Sequence, residues 1–211
     1  MRKIHIIIIL IVALTFMLTA CGNESGTSET KNNGKGQTSD TSKTSTPVYI
    51  DFFRQNIDDE KLASLVRSGE IPSNVTVLML GFNNINDISP LANLKNLEKL
   101  SLHSNNISDL SPLANLTNLK YLGLVDNDIT NISPIAKLTN LNELFLQQNN
   151  ISDISPVAGL SNLTKLHLAR NQISDISALA NLTNIESLQL DGNQITDWSP
   201  VDHVSVIRGR P

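Results

Sequence analysis

The sequence predicts an α/β repeat solenoid, with short parallel strands on a concave face and short helical turns on the convex face. A 22-residue unit recurs from Val75 onward without a change of register. Leucine, isoleucine and asparagine fill fixed positions of each unit, whereas aromatic residues make up only 4% of the chain. This composition is typical of stacked coils, in which each unit buries its apolar face against the next.

Four positions of the repeat hold the same residue type in all six copies. Two leucines stand two residues apart, so both point to one face of a strand and predict a continuous apolar spine. An asparagine follows where the chain turns, and its amide can bond backbone groups of neighbouring coils. The first copies are Leu78, Leu80, Asn83 and Ile85, and each recurs once per repeat up to Leu188, Leu190, Asn193 and Ile195.

The second half of each copy predicts a short helical turn. In five copies a serine precedes a proline, which favours a capping hydroxyl followed by the first helical turn. Few residues remain before the next strand, so we expect a turn that is partly 3₁₀. An aspartate (Asn131 in the third copy) stands two residues before each serine. We expect it to bond the amides of that turn, the alternative being a calcium site. These aspartates are Asp87, Asp109, Asp153, Asp175 and Asp197.

Residues 47–74 precede the repeats and are predicted to form a helical cap. An acidic start at Asp58, an apolar stripe through Leu62 and Leu65, and a stop at Gly69 indicate one short amphipathic helix. Because the helix lies directly before the first repeat, we expect it to cover the exposed end of the core.

The last of the six copies in residues 75–206 departs from the pattern. Trp198 replaces an isoleucine, and Ile207 would begin a seventh copy, so residues 207–211 are expected to be a truncated end. A solenoid needs a polar or covered terminal coil. Three explanations remain open: Trp198 and Asp202 form such a cap and the chain is monomeric, a partner covers the edge, or the chain is a shortened relative of a longer protein.

Residues 1–20 have the three-part pattern of an export signal. Arg2 and Lys3 are followed by an uncharged run and then by small residues. The Leu-Thr-Ala-Cys sequence ending at Cys21 resembles the lipobox of bacterial lipoproteins, whose cysteine receives a diacylglyceryl group. The resemblance implies a cleaved lipoprotein signal peptide and an extracytoplasmic chain anchored to the membrane by lipid on Cys21. An uncleaved membrane anchor is the alternative.

Residues 21–46 comprise the cysteine and a segment rich in Ser, Thr and Gly. This segment has no large apolar side chain and cannot bury enough surface to offset its ordering entropy. We therefore expect a disordered tether. Cys21 is the only cysteine, so an intramolecular disulfide is impossible.

Charge and motif content exclude several classes of function. The formal net charge is −4, which gives no electrostatic footprint for DNA or RNA. The sequence has no phosphate-binding loop and no zinc-ligand spacing. His103 and His167 stand three repeats apart, roughly 14 Å, and cannot share a metal ion. We expect neither catalysis nor a metal or cofactor.

The variable residues around each leucine pair are expected to line the concave face. Tyr121, Val125 and Phe145 lie at its centre within a charged rim, which is the composition of a protein-binding hot spot. Isolated decoration of the surface is the alternative. Met79 and Phe82 are expected to pack near the cap. The predicted partner-binding residues are Lys99, His103, Tyr121, Val125, Glu143, Phe145, Lys165 and His167.

The repeat unit Leu-x-x-Leu-x-Leu-x-x-Asn-x-Ile-x-Asp-Ile-x-Pro-Leu-Ala-x-Leu-Thr-Asn resembles the leucine-rich repeat, and more narrowly the 22-residue subtype of the internalins. The resemblance implies a curved horseshoe, a helical N-terminal cap, a protein ligand on the concave face and a Gram-positive cell surface. Two other functions remain open. One is a structural or assembly role of the C-terminal repeat edge, and the other is a scaffold like the eukaryotic phosphatase regulators of the same repeat length.

Overall fold

A single parallel sheet runs through the part of the chain that the computed structural model describes, residues 46–211. The predicted signal peptide, Cys21 and the tether up to residue 45 lie outside the described residues. Each strand pairs with the next along the chain. The strands are β1 Tyr49–Asp51, β2 Val77–Met79, β3 Lys99–Ser101, β4 Tyr121–Gly123, β5 Glu143–Phe145, β6 Lys165–His167, β7 Ser187–Gln189 and β8 Ile207–Arg208.

The leucine spine forms as the repeat predicts. From β2 to β7 each strand is in register with the strand one repeat further on, so Leu78 is opposite Leu100 and Leu144 is opposite Leu166. The twelve leucines of the paired positions are at most 1% exposed. Their burial away from water is the main force that holds successive coils together.

The return half of each repeat is a 3₁₀ helix on the opposite, convex side of the core. These turns span Ser89–Asn93, Ser111–Leu113, Ser133–Lys137, Ser155–Gly159, Ser177–Leu179 and Ser199–Val201. Their bounds confirm the prediction of short, tight turns. The open sheet on one side and the tight turns on the other give the curved α/β solenoid that the repeats predict.

The serines do not cap these turns, contrary to the sequence-based prediction. The capping position is the residue before the serine, such as Ile88, and its side chain makes no capping hydrogen bond. Asp87 provides the capping hydrogen bonds instead of the serine. Its Oδ1 accepts from the backbone N of Ser89 at 2.8 Å, and its Oδ2 accepts from the Ser89 hydroxyl at 2.9 Å. The carboxylate reaches the first free amide of the turn, which confirms the amide-binding role expected for this aspartate column.

The equivalent hydrogen bonds from Ser155 and Ser177 lower the pKa of Asp153 and Asp175. The backbone N–H of the serine has the larger effect and its hydroxyl the smaller one. A carboxylate whose pKa is lowered in the folded state stabilises the protein at pH values above its unfolded-state pKa. That stability is lost as the pH falls through the lowered pKa. We therefore expect the double variant Asp153→Asn/Asp175→Asn to be slightly less stable than the parent at pH 7 and to lose less stability between pH 7 and pH 3. Asn131 already bonds Ser133 N at 2.9 Å in this way.

Urea unfolding at the two pH values measures this difference, with Asp128→Asn, an exposed acid outside the column, as the control. Equal losses of stability at pH 3 in the parent and the double variant would contradict the assignment.

The predicted cap helix is present as α1, Asp59–Ser68. Asp58 accepts from Lys61 N, and Gly69 ends the helix with φ 82°, a left-handed conformation that favours glycine. Among residues 46–211 no helix is long and apolar enough to cross a bilayer. The strand β1 before α1 was not predicted, and it extends the concave sheet by one strand.

The C-terminal end differs from the expected truncation. A strict 22-residue period would place Ile207 opposite Ile185. Instead, Ile207 pairs with Leu188, the first leucine of the last copy. The reason is that the loop before β8 is shorter than the loop before β7. Val204 is buried at the position equivalent to Leu182 one repeat earlier, and β8 begins only three residues after it. Residues 207–211 therefore include a short terminal strand, beside which an ion pair joins Arg210 and Asp202 at 2.6 Å.

Candidate functional site

Outward-facing side chains form columns across the concave sheet because the strands are in register. One column joins Lys99, Tyr121, Glu143 and Lys165, and the next places Phe145 beside His167. Lys99 is exposed, and the other predicted partner-binding residues are half-buried. All eight therefore lie at this surface rather than in the core.

Tyr121, Phe145 and His167 form a continuous group of rings, the central cluster. The ring centroids of Tyr121 and Phe145 are 5.3 Å apart, and those of Phe145 and His167 are 4.9 Å apart in an edge-on arrangement. Gly123 lets Tyr121 lie close to the sheet, since a Cβ at this glycine would be 3.2 Å from the Tyr121 hydroxyl. The cluster is therefore a low apolar platform fixed by its own contacts.

His167 is held by polar neighbours on both sides. Its Nδ1 is 3.3 Å from Gln147 Nε2, and its Nε2 is 3.0 Å from Ser187 Oγ. Burial lowers the pKa of His167, and the charges of Lys165 and Arg208 lower it further. The ring is therefore neutral at neutral pH and contributes its edge and faces rather than a charge.

The charged rim combines one ion pair with one cation over a ring. Lys165 Nζ lies 2.9 Å from Glu143 Oε1, which satisfies both charges at the edge of the cluster. Lys99 Nζ instead lies 5.2 Å from the centroid of the Tyr121 ring. Beside Lys99 and Tyr121 is a shallow depression of about 210 Å³, also lined by Glu98, Lys120, Asn142 and Glu143.

His103, predicted in the rim around Tyr121, Val125 and Phe145, contacts a separate pair of rings. Its ring contacts Phe82 at 5.0 Å and Phe53 at 5.8 Å between centroids. Phe82 packs near the cap as expected, against Phe53, yet it is 43% exposed, and Phe53 is 39% exposed. Val125 occupies the same column as His103, one strand further along.

Phe53, Arg54, Phe82 and His103 together form a second group, the N-terminal cluster. Sequence reasoning missed Phe53 and Arg54 because they follow β1, which lies outside the repeat. Gly81 was a sequence signal that could have indicated this cluster, because every other copy has a residue with a side chain at this position. A Cβ there would clash with His103 Nε2, so the glycine makes room for the imidazole.

Ser187 and His167, which are hydrogen-bonded on the concave face, do not form part of a catalytic triad. Ser187 bonds His167, but the Nδ1 of that ring faces Gln147, so no carboxylate orients it as a triad requires. Within residues 46–211 no group of three histidine or acidic residues could hold a metal ion. The concave face offers apolar platforms and fixed charges, which suit binding.

Comparison with protein families identifies the class. The family described as Leucine Rich repeats (2 copies) matches residues 73–115, 117–159 and 161–203, more than half of the chain. The chain therefore belongs to the leucine-rich-repeat family. Within it the chain is of the internalin type, as two crystal structures from Listeria monocytogenes indicate.

Internalin C2 is 37% identical, with a TM-score of 0.59 over 74% of this chain and 76% of that one. Internalin F is 34% identical, with a TM-score of 0.62 over 73% of this chain and 51% of that one. A plant peptide hormone receptor, RGFR1, in complex with RGF2, is 26% identical, with a TM-score of 0.58 over 67% of this chain and 24% of that one. A search of curated proteins gave no match.

Proposed function

We propose that this chain is a non-catalytic binding module of the bacterial cell surface that holds a protein partner on its concave face around Tyr121 and Phe145. The observation that supports this most directly is the central cluster. Its rings touch each other, lie at the surface and adjoin fixed charges, as at the centre of a protein interface.

The distribution of aromatic residues also supports binding on this side. The chain has only eight phenylalanine, tyrosine and tryptophan residues. Five of them lie at outward positions of the concave strands or within three residues after a strand, namely Tyr49, Phe53, Phe82, Tyr121 and Phe145. The convex turns present proline, serine and alanine instead. Large aromatic side chains are costly to leave in water, so their concentration on one face favours an interaction there.

The location follows from the N-terminal sequence and from the internalin relationship. We propose that residues 1–20 direct export and that lipid on Cys21 anchors the chain to the outside of the cytoplasmic membrane. The variant Cys21→Ser is expected to leave the membrane fraction and lose incorporation of labelled fatty acid. Retention of both in the variant would refute the lipidation.

Photocrosslinking tests the binding face. A benzoyl-phenylalanine introduced at position 145 of the full chain, in intact cells, is expected to give one dominant protein adduct. The same group at position 137, in the convex turn Ser133–Lys137, is the matched control and should give none. Identical adducts from both positions, or none from position 145, would overturn the assignment of the concave face.

A role of the C-terminal edge in assembly is the second candidate. Val206, directly before β8, is 57% exposed, and β8 spans only two residues. An adduct between copies of the chain from position 206, with none from position 145, would favour this function.

A further inference from the structure

The N-terminal cluster lies on the same side of the sheet as the central cluster, nearer the N-terminal end of the sheet. Phe82 follows β2 and Phe145 lies in β5, so three strand spacings, about 14 Å, separate them. Phe53 and Phe82 meet edge-on with 5.3 Å between centroids, and both remain substantially exposed. This is a second apolar platform within reach of one bound protein segment.

Arg54 distinguishes this platform from a simple apolar patch. Its guanidinium carbon lies 4.5 Å from the Phe82 centroid and 5.2 Å from that of Phe53. A guanidinium stacked on rings keeps the donors at its edge free for a planar acceptor such as a carboxylate. Within residues 46–211 Arg54 is in no ion pair, since the cations that are paired there are Lys120, Lys165 and Arg210.

The backbone holds this group in place before any partner binds. Arg54 N donates to Gly81 O at 3.1 Å, and Arg54 has a positive φ of 55°. A non-glycine residue keeps this conformation only where its surroundings fix it. Here Asn83 Oδ1 does so by accepting from Gln55 N at 3.0 Å and from Ile57 N at 2.9 Å. Such preorganisation reduces the entropy lost on binding.

Charge selects the chemistry of the ligand. Both cations stacked on concave rings, Arg54 and Lys99, lack a carboxylate partner among the described residues, although the chain as a whole is acidic. His103 adds no charge at neutral pH, because burial lowers its pKa. An acidic group beside an apolar one would complement the cluster, whereas a basic segment would be repelled.

We propose that the N-terminal cluster is a second subsite for the protein partner, which binds a carboxylate on Arg54 and an adjacent apolar side chain on Phe53 and Phe82. The proposal rests on the proposed function in one respect, that the partner is a protein lying along the concave face. It adds the class of segment recognised: an acidic residue next to an apolar residue.

Peptide selection tests this chemistry with short peptides in place of the partner. A random linear peptide library displayed on phage is selected on the full chain and on the variants Arg54→Gln, Phe82→Ala and Phe145→Ala. We expect a class of peptides with Asp or Glu beside an apolar residue, whose binding falls about tenfold or more in Arg54→Gln and in Phe82→Ala. Replacing that Asp or Glu by Asn or Gln should have the same effect.

Two controls separate a local effect from a loss of fold. Arg67→Gln removes an exposed arginine at the end of α1 and should leave peptide binding unchanged. The thermal melts of Arg54→Gln and Phe82→Ala should stay close to that of the parent.

The outcomes distinguish this subsite from the proposed function. Peptides lost only in Phe145→Ala would leave the central cluster standing and remove the second subsite. Peptides with no preference for acidic residues, or with binding unchanged in Arg54→Gln, would also overturn it, as would a selection that yields no binders.

Discussion

Replacing Asn149 by alanine is expected to lower the free energy of unfolding by about 2 kcal/mol. The amide lies in the core at 7% exposure. Its Oδ1 accepts from Ile129 N at 3.0 Å, and its Nδ2 donates to Leu124 O at 2.9 Å and to Leu146 O at 3.1 Å. Alanine leaves Ile129 N buried without a partner, which costs on the order of 1–3 kcal/mol, whereas Leu124 O and Leu146 O each keep one bond, from Asn127 and Asn171.

Equilibrium unfolding in urea measures the loss, and the sequence supplies a matched control. Asn150, the next residue, is exposed, so Asn150→Ala should change the free energy of unfolding by no more than about 0.5 kcal/mol. Asn149→Asp keeps the acceptor but removes the two donated bonds, and we expect it to be at least as damaging as alanine. If Asn149→Ala and Asn150→Ala proved equally mild, the asparagine ladder, which is the column of one asparagine per repeat from Asn83 to Asn193, would not stabilise the coils.

The ladder and the spine could be predicted because each recurs six times at one spacing. A buried polar side chain at a fixed turn position has one consistent explanation, which is that it satisfies neighbouring backbone groups. The strand β1 has no such repetition. It has three residues, of which only Ile50 points toward the core, and a single half-buried isoleucine predicts nothing. The surface that β1 adds was therefore missed together with Phe53 and Arg54.

The candidate site was only partly predictable, for a related reason. Register places residues in columns and correctly puts Tyr121 and Phe145 on adjacent strands, with Phe145 opposite Gly123. It does not specify the direction in which a ring leans. His103 leans over Gly81 toward the cap because the missing Cβ leaves room there. Side-chain direction depends on such local gaps, which spacing alone does not reveal.

The terminal strand shows the limit of extrapolating a period. The regular period of the six copies predicts that Ile207 lies opposite Ile185, but Ile207 pairs with Leu188. Gly209, directly after β8, permits the end of this strand to lie close to Asp191, since its φ is 100° and a Cβ there would clash with Asp191 N. Glycine in a left-handed conformation allows two backbones to approach more closely than any other residue would.

Phe145→Ala is expected to weaken binding of the crosslinked partner by about 30-fold or more, a loss near 2 kcal/mol. The ring lies between Tyr121 and His167, so its removal deletes the centre of the platform and both of its ring contacts. The fold should suffer much less, because Phe145 lies on the sheet and not among the leucines. We expect a loss of about 1 kcal/mol in unfolding free energy and a fall in Tm of about 2–4 °C.

Titration of the partner against the full chain, with thermal melts of the same samples, separates the two effects. Lys137→Ala on the convex side is the control and should alter neither. Binding and stability falling in proportion would indicate that Phe145 serves the fold rather than recognition. Selective loss of binding is the expected result, because the repeat fixes the leucines by burial and leaves the outward positions free of that constraint. A large ring at an outward position therefore contributes more to a partner than to the coil that displays it.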